Sequence, residues 1–243
     1  MAKIVIDARE YSTSTGRYVS KLIQNLQKTD NDHNYIVLLK PEDANAEFTN
    51  PKFTKVVCPY KEFTFSEQLG LKKQLDSLNA DLVHFAMSQQ PVRYGGKVVT
   101  TVHDLTTVRF SNPAKNPSVF WFKQRVYAWV VKRVARKSAQ VIVPSKYVKR
   151  DLVDFAGINP DKVNVIYEAA DSIDLPEEAI GELEGKRFLL YVGRPTPHKN
   201  LRRLTQAFAA LKDTHPDLHL ALVGKQDINY LKLRAYVNDR GID

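Results

Sequence analysis

The chain has 243 residues, of which 43% are hydrophobic and 26% charged, and its formal net charge is +9. These values exclude a disordered chain, a collagen and a coiled coil, and the single cysteine, Cys58, excludes an internal disulfide bond and a cysteine-ligated zinc site. No apolar run approaches the ~18 residues of a membrane-spanning helix, and Met1–Asp7 is unlike a signal peptide, so we expect a cytoplasmic protein.

Short β-branched runs alternate with helical patterns along the first two thirds of the chain. Strands are predicted at Lys3–Ile6, Tyr35–Leu39, Lys55–Cys58, Leu82–Phe85, Val98–Val102, Val141–Val143 and Val163–Ile166. Helices are predicted at Tyr18–Gln27, Phe65–Leu78, Ser118–Ser138 and Ser145–Ala156, the last ending at Gly157. This alternation predicts an α/β protein with a parallel sheet covered on both faces.

The pattern breaks in an acidic segment around Pro176 and then restarts. The restart consists of strands at Phe188–Val192 and Leu218–Val223 and helices at Leu201–Lys212 and Tyr230–Arg240. We therefore predict an N-terminal domain at 1–172, a linker at 173–186 and a second domain at 187–243. Two βα units are too few for a complete doubly wound sheet, so the second domain is expected to be partial.

The most informative segment is the loop after the first strand of the second domain. Gly193 permits a tight turn, Arg194 and Lys199 flank two prolines, and Asn200 is a good helix N-cap. Ligands of open α/β sheets bind beyond the carboxyl ends of the strands, where a helix N-terminus favours an anion. This arrangement indicates a diphosphate site, although two solvated cations beside a stiff turn would show the same pattern.

Three residues of the first domain lie at the same kind of edge. His103 and Asp104 end a predicted strand, where a His can contact a sugar hydroxyl or stabilise charge. A capping His and a turn-starting Asp are the alternative. Gly16 precedes the first helix, so a ligand can approach the backbone closely there. The triplet Asp30–Asp32 is interpreted as a polar turn, and no metal site is predicted.

The positive charge is local, because the stretch from Leu105 to Arg150 holds 11 basic residues and no Asp or Glu. One stripe of the predicted long helix spans about 80° and contains Trp121, Arg125, Lys132 and Arg136. A second face is predicted to pack on the sheet and contains Val119, Phe122, Val126, Val130 and Val134. The basic stripe suits an anionic membrane surface, and a solvated basic face is the alternative.

A nucleic-acid-binding module is a different reading of the same basic window. The sequence contains no zinc-finger, RNP or helix-turn-helix signature, so no nucleic-acid partner is expected.

Four short motifs carry a family resemblance. They are Ile4–Asp7 with Gly16–Tyr18, Thr101–Leu105, Val141–Ser145 with Val163–Ile166, and Leu190–Arg194 with Lys199–Asn200 and Leu220–Gly224. In their order and spacing they resemble the retaining GT-B glycosyltransferases of the family-4 type, from residue 3 to about 243. The resemblance implies two Rossmann-like domains that face each other across a cleft.

The resemblance also implies roles for the site residues. Arg194 and Lys199 would hold the diphosphate of a nucleotide-sugar donor without a metal or another cofactor, and Gly16 would approach it from the N-terminal domain. His103 would contact the transferred sugar as the catalytic residue. The reaction would be a retaining hexosyl transfer, such as mannosyl or glucosyl transfer, to a glycan or lipid-linked acceptor, in envelope glycan synthesis at the inner face of the membrane.

One departure from the family is a matter of length. The paired-glutamate motif that contacts the donor in this family lies beyond residue 243 in the family's pattern, so the chain by itself is expected to transfer sugar poorly. A non-catalytic sugar-nucleotide-binding remnant is the alternative.

Overall fold

The computed structural model describes residues 1–13, 16–110, 117–172, 174–176 and 178–241, without the side chains of 117–119. The chain divides into two compact units. Unit 1 comprises 1–108 and 122–170, and unit 2 comprises 109–121 and 171–243. The predicted boundaries at 172 and 186 stay a prediction.

Unit 1 is built on a seven-stranded sheet with the order β3-β2-β1-β4-β5-β6-β7. Its strands are β1 (Lys3–Asp7), β2 (Asn34–Leu39), β3 (Phe53–Val57), β4 (Leu82–Phe85), β5 (Val98–Thr101), β6 (Gln140–Val143) and β7 (Val163–Val165). Every neighbouring pair is parallel. The central strands are buried on both faces, with Val5, Val37, Val83 and Phe85 all 0% exposed, as expected for a parallel sheet covered by helices.

The helices of unit 1 form the covering layers. They are α1 (Arg17–Thr29), α2 (Lys72–Leu78), α3 (Thr106–Arg109), α4 (Pro117–Lys137) and α5 (Lys146–Ala156), of which α4 begins in unit 2. A π-helical turn at Glu67–Leu71 leads directly into α2, so the helix predicted at 65–78 has an irregular first part. α5 ends where Gly157 adopts the left-handed conformation, the usual glycine stop.

Unit 2 contains the parallel pair β8 (Arg187–Val192) and β9 (Leu218–Val223), with α6 (Leu201–Ala209) and α7 (Ile228–Asn238). Several apolar side chains of this pair are exposed, including Leu190 at 54% and Val192 at 69%. The predicted fold class, an α/β protein with a Rossmann-like parallel sheet and the first βα units of a second one, is confirmed.

The prediction of which face of the long helix packs on the sheet was right at Val134, which is 2% exposed, and wrong at Phe122 and Val126. Phe122 is 63% exposed and Val126 is 45% exposed, and the side chain of Val119 lies outside the described residues. The buried face carries Val131 and Ala135 together with Val134, all at most 2% exposed. Val131 and Ala135 join the core formed by β6 and α5, so the helix is rotated relative to the prediction.

Candidate functional site

His103 lies just beyond the carboxyl end of β5, with both ring nitrogens beside acceptors of unit 1. Its Nε2 is 3.0 Å from the carbonyl oxygen of Ala86 and its Nδ1 is 3.2 Å from Glu168 Oε1. A carbonyl oxygen only accepts, so Nε2 carries a proton in this arrangement. The carboxylate of Glu168 therefore makes an ion pair only when Nδ1 is protonated as well. Ala86 and Glu168, which no local sequence pattern connects, fix the orientation of the ring.

The side chains of Tyr18, Thr101 and His84 form a connected polar group that contacts His103 through the Tyr18 ring. The ring of Tyr18 meets the His103 ring edge-on, with 4.8 Å between the centroids. The Tyr18 hydroxyl and His84 Nε2 both contact Thr101 Oγ1, at 2.9 and 3.0 Å. Burial lowers the pKa of His84 to about 4, so His84 is neutral at pH 7. Asp104 starts the turn that leads into α3 by accepting a hydrogen bond from Thr106 N at 2.8 Å, the turn-starting role that was the alternative reading.

A buried ionic cluster lies beside this edge, and sequence reasoning missed it. Arg9 is 3% exposed and donates to both carboxylate oxygens of Asp7, at 2.9 and 2.8 Å. Its other terminal nitrogen lies 2.9 Å from Glu67 Oε1. Burial opposes the charge of Arg9, but Asp7 and then Glu67 outweigh it and the pKa of Arg9 is raised. The cluster ties the end of β1 to the π-helical turn; its only sequence signal was two charges close to a buried strand.

Gly16 is buried at the start of α1, and its own loop requires the glycine. A Cβ placed there would lie 1.6 Å from the carbonyl oxygen of Glu10. The Gly16 N–H already donates to the carbonyl oxygen of Thr13, at 3.0 Å. The turn itself accounts for the need for glycine at this position. The contact between Gly16 and a nucleotide-sugar donor, inferred from the family resemblance, therefore stays a prediction.

In unit 2, Arg194 follows β8 and is held by a carboxylate. Its Nη2 lies 2.8 Å from Asp227 Oδ2, and its side chain is 62% exposed. Asp227 in turn caps α7 by accepting from Asn229 N at 2.9 Å. The hydrogen bond from Arg194 lowers the pKa of Asp227. The sequence placed Arg194 at the correct edge but gave no sign of this partner.

Lys199 ends a 3-10 turn, Pro197–Lys199, in the same loop. Its ammonium group is exposed and has no partner within the described part of the chain. Asn200 is the N-cap residue of α6, as predicted, but its side chain accepts no capping hydrogen bond and its backbone is left-handed. The cap prediction was therefore right in position and wrong in mechanism, since the preceding 3-10 turn sets the start of α6.

The predicted basic stripe divides into two parts. Trp121 is 58% exposed and Arg125 is also exposed. Lys132 instead lies over the Phe155 ring, 4.6 Å from its centroid, and Arg136 Nε donates to the Ala156 carbonyl at 2.8 Å. Half of the stripe thus packs along α5, and its role at a membrane stays a prediction.

Asp30 belongs to a turn, since it accepts from Asp32 N at 2.8 Å and from the Tyr35 hydroxyl at 2.5 Å. Among the described residues no group of three His, Cys, Asp or Glu side chains could hold a metal ion. None of the described helices combines the length and apolar character that a membrane crossing requires.

Residues 15–173 match the family Glycosyltransferase Family 4, and residues 174–239 match the family Glycosyl transferases group 1. The first match alone covers more than half of the chain. The chain belongs to glycosyltransferase family 4. The resemblance seen in the four sequence motifs is thereby confirmed.

Two curated relatives of this family member are informative. The uncharacterized glycosyltransferase YqgM of Bacillus subtilis (strain 168) is 28% identical over 219 residues, which are 89% of this chain and 56% of the relative. The N-acetylgalactosamine-N,N'-diacetylbacillosaminyl-diphospho-undecaprenol 4-alpha-N-acetylgalactosaminyltransferase of Campylobacter jejuni (serotype O:2, strain ATCC 700819 / NCTC 11168) is 31% identical over 137 residues, which are 54% of this chain and 34% of the relative. The chain thus spans little more than half of the first relative and a third of the second.

Solved structures share the fold. WaaG, a glycosyltransferase involved in lipopolysaccharide biosynthesis, superposes with a TM-score of 0.62 at 16% identity, over 98% of this chain and 67% of WaaG. HepE of Anabaena, solved in complex with UDP, gives a TM-score of 0.58 at 16% identity, over 100% of this chain and 67% of HepE. These likenesses support the GT-B type fold predicted from the motifs.

Proposed function

We propose that the chain is part of a glycosyltransferase that moves a hexosyl group from a nucleotide-diphosphate sugar to a glycan or lipid-linked acceptor. Its membership of glycosyltransferase family 4 carries the proposal. The HepE structure contains UDP, and the Campylobacter enzyme is named for a diphospho-undecaprenol acceptor. That enzyme is named for N-acetylgalactosamine, so mannosyl or glucosyl transfer by this chain remains a prediction.

Arg194 and Lys199 provide the electrostatic part of the proposed mechanism. Both belong to the loop at the carboxyl end of β8, where the ligands of such sheets bind. A departing diphosphate develops negative charge, and fixed cations stabilise it without a metal ion. The exposed ammonium group of Lys199 would bind a phosphate directly. Arg194 would either exchange its contact with Asp227 for one with the diphosphate or contact both groups at once.

His103 would act on the sugar from unit 1. Its Nε2–H group now donates to the carbonyl oxygen of Ala86. The same group could donate a hydrogen bond to a hydroxyl of the sugar. The assignment of Gly16 to the nucleotide-sugar donor rests only on the family resemblance. Retention of configuration belongs to the proposal on the same basis.

Binding of UDP and UMP to the purified chain tests the donor site. We expect UDP to bind more tightly than UMP in titration calorimetry, because only UDP offers a β-phosphate. Lys199→Met should weaken UDP binding about tenfold or more, the scale of one charge-assisted hydrogen bond. Arg187→Met is the matched control, since Arg187 pairs with Asp217 at the opposite end of β8. Equal binding of UDP and UMP would contradict the diphosphate assignment.

We further propose that unit 1 binds peripherally to an anionic membrane surface, at the inner face of the membrane. The observation that favours this is the exposure of Phe122 and Trp129 on α4, at 63% and 56%. A helix with exposed aromatic residues among cations suits the interfacial region of a bilayer. Phe65, just before the π-helical turn, adds a further exposed aromatic side chain, at 89% exposure.

A further inference from the structure

A small cavity of unit 1 lies beside His103, at the edge of the sheet where the strands have their carboxyl ends. Its volume is about 20 Å³, which is room for one water-sized group. Ala86, whose carbonyl oxygen accepts the hydrogen bond from His103, is part of the lining. The polar and flexible side chains of the lining are those of Asp7, Arg9, Glu10, Glu62, Met87 and Gln89.

The cations at this cavity are already held by carboxylates. Arg9 belongs to the buried ionic cluster described above. Lys40, just outside the lining, bridges Glu10 and Glu62 at 2.9 and 3.1 Å. Even when Lys40 is counted, the three carboxylates of Asp7, Glu10 and Glu62 outnumber the two cations. The cavity therefore disfavours an anionic group.

One hydrogen-bond acceptor of the lining has no partner. Gln89 is 9% exposed, and its Oε1 is buried without a hydrogen bond inside the described part of the chain. Leaving a buried amide oxygen unpaired is unfavourable, so the site favours a ligand that donates a hydrogen bond. A hydroxyl group is a donor of the size that the cavity admits.

Phe63, the residue that follows Glu62, has a strained backbone conformation. Its φ is 61°, in the left-handed region that bulky residues rarely adopt. The other non-glycine residues with positive φ in the described ranges are Asn79 and Asn200, and asparagine tolerates this region. A hydrogen bond of 2.9 Å from the Phe63 N–H to Oε2 of the buried Glu67 holds the conformation. Strain of this kind is concentrated at active sites and ligand clamps.

The strained conformation leaves the Phe63 ring 70% exposed, among the segments that line the cavity. The ring contacts the Tyr127 ring, with 5.9 Å between the centroids. The Tyr127 hydroxyl lies 3.0 Å from Ser88 Oγ, and Ser88 stands between the lining residues Met87 and Gln89. A flat apolar ring beside hydrogen-bond acceptors suits a sugar, which has an apolar C–H face and hydroxyl groups at its edge.

We propose that this site binds the acceptor as a neutral sugar, with one hydroxyl group donating to Gln89 inside the cavity and the sugar ring against Phe63. The inference rests on the proposed glycosyl transfer and names the chemical class of its acceptor. Because Ala86 belongs to both sites, the bound sugar lies next to His103. A uronic acid or a sugar phosphate would be rejected by the carboxylates of the lining.

NMR spectra of the chain with isotope-labelled methionine methyl groups test the site. The chain has two methionines: Met87 lines the cavity, and Met1 is 85% exposed at the opposite end of β1. We expect at least one of the methyl glycosides of glucose, galactose and mannose to shift the Met87 signal at millimolar concentration. The Met1 signal should stay in place. The corresponding methyl uronide should bind at least about tenfold more weakly.

Two variants test the residues that carry the proposal. Phe63→Leu removes the flat ring, and Gln89→Leu removes the unpaired acceptor. Each should weaken the binding of the neutral glycoside about fivefold or more, as for the loss of one hydrogen bond or one stacked ring. Tyr147→Leu is the matched control, because Tyr147 is a 69% exposed aromatic residue of α5 outside the lining. Its binding should not change.

The outcomes separate this inference from the proposed function. An unshifted Met87 signal with all three glycosides, in a chain that binds UDP, would overturn the inference alone. Failure to bind UDP as well would overturn the assigned donor site with it. Full binding by both variants, or equal binding of a glycoside and its uronide, would also overturn the inference. A shift with hexanol and none with the glycosides would assign the surface to an apolar group instead. Thermal melting curves verify that each variant is folded.

Discussion

Arg194 forms an ion pair of 2.8 Å with Asp227, the N-cap residue of α7. The pair joins the loops that follow β8 and β9, so a single carboxylate both starts a helix and orients the cation assigned to the donor diphosphate. Any anion that binds Arg194 has to compete with this carboxylate or share the guanidinium group with it.

Asp227→Asn should therefore tighten the binding of UDP. Asn is as good an N-cap as Asp, so α7 should keep its start while the competing charge is lost. We expect a gain in affinity of a few-fold in titration calorimetry, on the scale of an exposed ion pair. Asp217→Asn, which removes the carboxylate paired with Arg187, should have no such effect. A loss of affinity in Asp227→Asn would show that the carboxylate holds Arg194 in its binding position.

Gly16→Ala should destabilise unit 1 even without any ligand. The added Cβ would lie 1.6 Å from the carbonyl oxygen of Glu10, a backbone atom that cannot move without shifting the loop. We expect a loss of about 2 kcal/mol or more, as for an overpacked site. Gly95→Ala is the control, because a Cβ there has no atom within 4 Å. Thermal melting compares the two variants, and equal melting temperatures would contradict the steric argument.

Arg9→Met should cost far more stability than the removal of a surface cation. It would leave the carboxylates of Asp7 and Glu67, 8% and 2% exposed, without their shared partner. Breaking a buried ion pair in this way costs about 3–5 kcal/mol. Lys72→Met breaks the exposed pair with Asp76 and should cost at most about 1 kcal/mol. Urea unfolding distinguishes the two, and similar midpoints would show that the cluster contributes little.

His84 should make the stability of unit 1 depend on pH. Its pKa is about 4 in the folded chain against ~6.5 in an unfolded one, so the unfolded chain binds a proton more readily between these values. The stability from the neutral ring is complete above pH ~6.5 and is lost as the pH falls towards 4, by up to about 3 kcal/mol. Unfolding measured across this window should be less pH-dependent in His84→Gln. An equal slope in both proteins would contradict a buried neutral His84.

The neutral ring of His103 should carry its proton on Nε2. The carbonyl oxygen of Ala86 lies 3.0 Å from that nitrogen and can only accept. Long-range proton–nitrogen NMR spectra identify the tautomer. The proton should remain on Nε2 in Glu168→Gln, because the new amide can donate to Nδ1. A ring protonated on Nδ1 would show that the contact with Ala86 is absent in solution.

The order of the elements could be predicted because it is local. Alternating β-branched runs and helical periodicity put the strands of both units within a few residues of their observed bounds. Within each parallel sheet the carboxyl ends of the strands lie at one edge. His103 and Arg194 could therefore be singled out because each follows the carboxyl end of a strand in its own sheet. The left-handed stop at Gly157 was also readable, since few residues other than glycine adopt that conformation.

Only the tertiary structure decided which partners these side chains have. Glu168 lies 65 residues from His103, Asp227 lies 33 residues from Arg194, and no periodicity connects them. The orientation of α4 was likewise open, because Val, Phe and Trp occur all around that helix and only packing against β6 and α5 selects the face of Val131 and Ala135. Charge and hydropathy along the chain determine which residues can be buried or paired. Burial and pairing themselves are set by long-range contacts, and these left Trp129 56% exposed.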